Sequence, residues 1–303
     1  MTGLAERIDI RHDAPIPTWF RVGGSADRLA TPRNESELAA CLELDPGLRI
    51  LGEGANLLVA DEGVSELVVR LGEGFQRVVI DETRGSVIAG AAADLSRVIH
   101  STARRGLMGL ETIIGVPATV GGAVVMNAGG THGEIGDSVR RVFAFDRQGS
   151  PVTLERDEIE FGYRSGGLGD LIVTSVEFQL TPGDPVAAKE RLLGIMRHKK
   201  QTQPMKPGTC GCSFKNPVLP HELPGLGAEG DRVAAGLLID RAGGKSMAIG
   251  SCRVSDVHAN FIESGLGATA SDILRLLDAV RSLVLRRFGV TLETEVVVWG
   301  RSR

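Results

Sequence analysis

Residues 109–137, GLETIIGVPATVGGAVVMNAGGTHGEIGD, constrain this chain more than any other stretch. The segment is dense in glycine, contains no lysine or arginine, and is interrupted by Pro117. A solvated loop would be more polar. An ordinary core segment would carry fewer glycines. A backbone wrapped around a bound group meets both conditions, because glycine lets main chain approach a ligand closely. The bias extends beyond this segment: glycine supplies 40 of the 303 residues, roughly twice the ~7% usual share. No internal repeat or low-complexity tract accompanies it.

A second glycine motif, GEGANLL at 52–58, follows an apolar strand pattern. Successive N–H groups in such a turn form a concave anion site suited to a pyrophosphate. The motif is not GxGxxG, and no acidic residue is placed to read a ribose. Alone it reads more simply as a hairpin turn. With VPATVGGA (116–123) and MNAGG (126–130), however, the chain offers two separated backbone cradles, as a long dinucleotide requires. The plainer alternative is a pair of buried turns in a β-rich core.

Apolar alternation predicts short strands within 49–61, 66–71, 76–81 and 86–93, then over 139–146, 149–155 and 170–180. The 3.6-residue period predicts helices over 94–105, 185–200, 234–242 and 270–288, with a strand and turn over 258–264 and a closing strand over 290–300. Strands and helices do not alternate regularly, which favours α+β over a Rossmann or TIM fold. Four prolines within 201–220 mark a composition shift and the expected domain boundary.

The net charge of −4 disfavours binding to nucleic acid or to an anionic membrane. No apolar run reaches the ~18 residues a spanning helix needs. The N-terminus lacks the apolar core of a secretory signal. The expectation is a cytoplasmic chain with reduced thiols at Cys41, Cys210, Cys212 and Cys252.

Three smaller motifs carry candidate chemistry. In FGYRS (161–165), Arg164 beside Tyr163 suits a bidentate carboxylate clamp, or is a surface arginine against a packed aromatic. In CGCSFKNP (210–217), a thiol precedes Lys215 and Asn216. A zinc set of Cys210, Cys212, Cys252 and His258 has poor spacing. A proton-donating thiol is the sharper reading, against a buried small apolar group. Glu293 and Glu295 fall two apart and on one strand face; pattern alone favours a solvated edge.

Taken in order along nearly the whole chain, seven segments resemble one family, the UDP-N-acetylenolpyruvoylglucosamine reductases. They are 18–27, 51–61, 109–130, 161–166, 210–217, 238–262 and 292–296. The resemblance implies a noncovalent FAD in a two-part domain of the vanillyl-alcohol-oxidase type and a smaller α+β substrate domain. Expected bounds are 1–72 and 73–200 for the two FAD-binding parts, with 290–303 returning to the second, and 201–289 for the substrate domain. It implies NADPH as co-substrate and UDP-N-acetylglucosamine enolpyruvate as the small-molecule substrate, reduced to UDP-N-acetylmuramate for peptidoglycan, by a monomer. No metal is expected.

The implied cofactor contacts in the first motif are Gly52, Glu53, Gly54, Ala55, Asn56 and Leu57. In the second they are Gly115, Val116, Pro117, Thr119, Gly121, Gly122 and Ala123, followed by Asn127 and Gly129. Tyr163, Arg164, Lys215 and Asn216 are implied substrate contacts. Arg164 would hold the substrate carboxylate, and Glu295 would assist the enolate or the proton. The family's proton-donating serine falls on Cys212, with Ser213 as the competing donor. Ala118 and Ala55 stand where glycine and serine are frequent. Lys199, Lys200 and Lys206 compete for the UDP phosphates. The single tyrosine fits the family's shorter subtype. A flavin-dependent oxidase of the same fold and a noncatalytic UDP-sugar-binding relative remain open.

Overall fold

The structure, a computed structural model, describes residues 8–204 and 208–301. Two units with separate apolar cores make it up. The first comprises residues 8–14, Ala26–Glu53 and Glu66–Lys199. The second comprises Pro15–Ser25, Gly54–Ser65 and the described residues from Lys200 onward.

In the first unit, Asn34 caps α1 (Glu35–Leu44) by accepting from Glu37 N at 2.9 Å. Sequence periodicity does not reveal α1. Its buried Leu38, Cys41 and Leu42 fall at i, i+3 and i+4, but the stripe is a single repeat and Ala40 is buried beside it, so the period is too short to stand out. The expected helix at 94–105 is α2 (Leu95–Ala103). Asp94 accepts from Arg97 N at 2.9 Å, and Leu95, Val98, Ile99 and Thr102 are buried as one stripe. Burial of each large aliphatic there contributes ~1.5–3 kcal/mol. Gly106, at φ +71°, follows it.

The glycine-dense segment contains a helix that propensity argues against, α3 (Val120–Val125). Gly121 and Gly122 disfavour a helix by ~1 kcal/mol each. Backbone contacts override them: Val120 N donates to Ala93 O at 2.9 Å and Gly121 N to Ala91 O at 2.8 Å. Thr119 Oγ1 accepts from Gly122 N at 3.2 Å. This helix packs on a five-stranded antiparallel sheet ordered Pro151–Glu155, Val139–Phe145, Ile172–Gln179, Ser86–Gly90, Val78–Asp81. The central strand Ile172–Gln179 is buried on both faces although Thr174 and Glu177 are polar; Thr174 Oγ1 donates to Phe143 O and Glu177 pairs with Arg140 and Arg141. The unit's last helix, α4 (Pro185–Thr202), starts at the proline expected in its first turn and passes into the second unit at Lys200.

The second unit is built on α5 (Ala235–Arg241) and α6 (Ala270–Phe288). α6 coincides with its expected bounds. Thr269 Oγ1 accepts from Asp272 N at 3.0 Å, and the Asp61 carboxylate accepts from Ala270 N at 2.8 Å and Ser271 N at 2.9 Å. Three of the four N–H groups orphaned at a helix start are thus satisfied, worth ~1 kcal/mol or more. Ile273, Leu276, Leu277, Val280 and Val284 are buried, and Gly289 in the left-handed region ends the helix. Two strand expectations shorten. Within 258–264 only Ile262–Ser264 pairs as a strand. The closing strand is Val297–Trp299, parallel to Leu57–Val59. Residues before it meet the chain at only one bridge, Phe214 to Thr294, which limits the ladder there.

Candidate active site

In the first unit, Gly52, Glu53, Thr119, Gly121 and Gly122 line one cleft of about 250 Å³, with Arg70, Arg147 and Ile172. A Cβ on Gly52 would stand 3.0 Å from Thr119 Oγ1, and one on Gly122 would stand 3.2 Å from the same hydroxyl. Side chains at either position would fill the cleft. The backbone N–H groups of Gly52, Glu53, Gly54, Ala55 and Asn56 donate to no acceptor among the described residues. Of these, Gly52 and Glu53 line the cleft, whereas Gly54, Ala55 and Asn56, with Leu57 after them, do not. By contrast, the N–H groups of Val120, Gly121 and Gly122 are spent within the protein. At the cleft itself the unspent donors are those of Gly52 and Glu53, which suit an anionic group there.

Gly115, Val116, Pro117, Ala123, Asn127 and Gly129 do not line this cleft. Gly115 is backed by Lys199, whose Nζ donates to Ile114 O at 2.7 Å. Lys206 lies outside the described residues. Glu53 faces Arg70 at 3.5 Å.

Tyr163 and Arg164 form the tip of a tight turn in this unit. Gly162 N donates to Ser165 O at 2.9 Å and Ser165 N to Gly162 O at 3.0 Å. Arg164 sits at φ +57°, where a side chain costs ~1–2 kcal/mol. Its guanidinium lies 5.1 Å from the centre of the Tyr163 ring. A strained residue with an oriented cation is a functional-site observation.

The remaining candidates belong to the second unit. Asn56 Nδ2 donates to Glu295 O at 3.0 Å, and Leu57 begins the strand paired with Val297–Trp299. Residues 213–215 are held from both sides. Lys215 N donates to Glu293 O at 2.8 Å and Glu295 N to Ser213 O at 2.9 Å. On the other side, Ser213 N donates to Asn260 O at 2.7 Å, Phe214 N to Asn260 Oδ1 at 2.9 Å, and Asn260 Nδ2 to Phe214 O at 2.8 Å. Asn260 is 2% exposed. Sequence reasoning missed it; an asparagine flanked by apolar residues in HANFI must find backbone partners when buried, and that was the available signal.

This bracing separates the two candidate proton donors. Ser213 is 1% exposed and its Oγ has no hydrogen-bond partner among the described residues. Cys212, adjacent, is half-buried. Ser213→Ala removes a hydroxyl that is already desolvated and unpaired, a group costing ~1–3 kcal/mol. A melting curve should show Tm unchanged or raised; a fall of several degrees would mean the hydroxyl is bonded.

Lys215 Nζ pairs with Glu293 at 2.6 Å, and Asn216 Oδ1 accepts from Ala235 N at 3.0 Å at the start of α5. Burial pushes the Cys210 thiol up to about 12 and the Cys252 thiol to about 11. Burial also lowers the His258 pKa, and His258 Nδ1 accepts from Asn260 N at 3.2 Å, as a neutral imidazole does. Among the described residues no group of three or more His, Cys, Asp or Glu is placed to hold a metal, so the zinc set does not assemble. No helix among them is long and apolar enough to cross a membrane.

Residues 203–299 match the model for the C-terminal domain of UDP-N-acetylenolpyruvoylglucosamine reductase, and residues 26–155 match that for an FAD-binding domain. The reductase of that name from Moorella thermoacetica is 39% identical over 99% of this chain and 95% of its own. The chain belongs to the UDP-N-acetylenolpyruvoylglucosamine reductase family. It is therefore an oxidoreductase with an FAD-binding domain. The crystal structure of the family's reductase from Thermus caldophilus superposes with a TM-score of 0.80 at 37% identity, covering 97% of this chain and 99% of that one. A 6-hydroxy-D-nicotine oxidase from Arthrobacter nicotinovorans, 12% identical, matches at a TM-score of 0.60 over 96% of this chain and 88% of that one. That likeness concerns the fold alone. The α+β architecture and the expected FAD-binding fold hold. Within the reductase family fold, Arg70 and Arg147 are cleft residues that no sequence motif singled out.

Proposed function

We propose that this reductase converts UDP-N-acetylglucosamine enolpyruvate to UDP-N-acetylmuramate with NADPH as electron source, and that Cys212 delivers the proton. FAD, when bound, supplies the hydride chemistry that no side chain can. The protein's own task is the negative charge that develops as hydride adds to the enolpyruvyl double bond. Arg164 pairs with the substrate carboxylate and stabilises that charge. Glu295, registered against Ser213, helps orient the acid. The Cys212 S–H bond breaks, its proton forms the new C–H bond at C2, and the thiolate is reprotonated from solvent.

One observation supports Cys212 above its neighbour: it is half-buried, while Ser213 is sealed in a segment fixed by five backbone-directed hydrogen bonds. A thiol with a reference pKa of ~8.5 is mostly protonated at neutral pH and can donate. Lys215 and Asn216 are the preferred contacts to the UDP moiety because they lie inside the matching CGCSFKNP motif, with Lys199, Lys200 and Lys206 as competing contacts to its phosphates. The reading also takes the enzyme as a cytoplasmic monomer whose partners are small molecules, with neither nucleic acid nor membrane among them.

One anaerobic absorbance experiment tests it. NADPH should bleach the flavin band, and UDP-N-acetylglucosamine enolpyruvate should restore it without oxygen. Recovery only with oxygen, or flavin retained covalently after denaturation, would point to an oxidase. Absence of any flavin band after FAD addition would leave a noncatalytic binding protein.

A further inference from the structure

Asn127 ends the helical part of the glycine-dense segment and is 1% exposed. Its amide is committed within the protein on both sides. Nδ2 donates to Gly162 O at 2.9 Å and to Glu134 Oε2 at 2.6 Å, while Oδ1 accepts from Gly136 N at 3.1 Å. Both donors are used, and one acceptor position is used. A Cβ on Gly136 would meet Asn127 Oδ1 at 2.9 Å and the Phe161 ring at 2.8 Å, so the amide cannot shift toward that side.

Gly162 opens the turn that carries Tyr163 and Arg164. Its carbonyl accepts from Asn127 Nδ2 and from Ser165 N, which occupies both lone pairs. Asn127 lies at φ +42° and Arg164 at φ +57°. Asparagine tolerates the left-handed region better than any other residue with a side chain except aspartate; arginine does not. A strained turn persists only where its surroundings over-determine it. One surrounding constraint is the Asn127 amide at the turn's first carbonyl; Gly166 N, donating to Val125 O at 2.9 Å, anchors its exit.

We infer that Asn127 is a positioning residue for Arg164. Its amide fixes the first carbonyl of the turn, and through it the direction from which the guanidinium meets the substrate carboxylate. The segment read as cofactor-binding thus sets the geometry of the substrate clamp. This inference rests on the carboxylate role given to Arg164 above.

The test is a double-variant cycle on the FAD-loaded protein: Asn127→Gly, Arg164→Met and the pair. Glycine keeps the left-handed backbone and deletes only the amide. Two quantities are read: the Kd of UDP-N-acetylglucosamine enolpyruvate from perturbation of the flavin spectrum without NADPH, and the temperature at which flavin fluorescence is released. Asn127→Gly should weaken substrate binding about 10-fold or more, the scale on which small misplacement of a binding group acts. It should leave the flavin release temperature near wild type. In the Arg164→Met background it should add less than about twofold, since coupled residues are non-additive. Equal effects in both backgrounds, or early flavin release with unchanged substrate affinity, would overturn the inference and return Asn127 to a structural or cofactor role. Arg164→Met with unchanged substrate affinity would overturn the Arg164 assignment itself. Should Asn127→Gly not fold, Asn127→Asp keeps the volume and the acceptor for Gly136 N but lacks the donor to Gly162, and the same cycle is read on it with the same expectations.

Discussion

With Cys212 as proton donor, Cys212→Ala should lower kcat by ~10²–10⁴, the usual contribution of a positioned general acid, while Cys212→Ser should remain a reductase. The loss falls on one half-reaction. Bleaching by NADPH proceeds at the wild-type rate, because no proton donor is needed there, and only recovery with substrate slows. Serine supplies a hydroxyl, a weaker acid than the thiol but still a proton donor, so its rate should lie between those of cysteine and alanine. A second readout comes from the other thiols. Burial raises Cys41 and Cys252 to about 11 and Cys210 to about 12, which leaves negligible thiolate near neutral pH. Cys212 is the one cysteine of the four that is not buried. A thiol-alkylating reagent should therefore inactivate the wild-type enzyme through Cys212 and spare Cys212→Ser. Wild-type turnover by Cys212→Ala, together with an inactive Ser213→Ala, would reverse the assignment.

The sequence made some features legible and hid others for identifiable reasons. α2 and α6 are visible because their caps and stripes are local: Asp94, Thr269 and Gly289 act on neighbours within a few residues. α3 is invisible because Ala91 and Ala93, some thirty residues earlier, accept its first N–H groups. Residues 52–56 read as an anion turn, and their N–H groups donate to no acceptor among the described residues. Residues 116–123 look equally suitable, yet their N–H groups at 120–122 are consumed internally. Composition cannot distinguish these cases, since both need glycine. The same limit applies to polar braces. Asn127 reads as a cofactor contact and Asn260 as an ordinary strand residue, and only their tertiary partners reveal what they hold.

The backbone at Arg164 allows its chemical role to be separated from its structural cost. Arg164→Gly should leave Tm unchanged or slightly raised, yet reduce kcat/KM by ~10²–10³. At φ +57° the arginine carries ~1–2 kcal/mol of strain that glycine does not. Glycine gives back ~0.5–1 kcal/mol through the entropy of the unfolded chain, so the two nearly cancel. The cation–π contact to Tyr163, worth ~0.5–1 kcal/mol, is one of the contacts on the arginine's side of the balance. Catalysis has no such compensation. Removing one charged partner from a carboxylate that gains charge in the transition state costs ~3–4 kcal/mol, which is the stated rate loss. Arg164→Lys keeps the charge but neither the planar fork nor the release from strain, so it should fall between the two in rate and no higher than wild type in Tm. Kinetics and melting curves on the three proteins decide the matter. A destabilised but active Arg164→Gly would make the arginine a structural residue, since a carboxylate clamp predicts the opposite pair of changes.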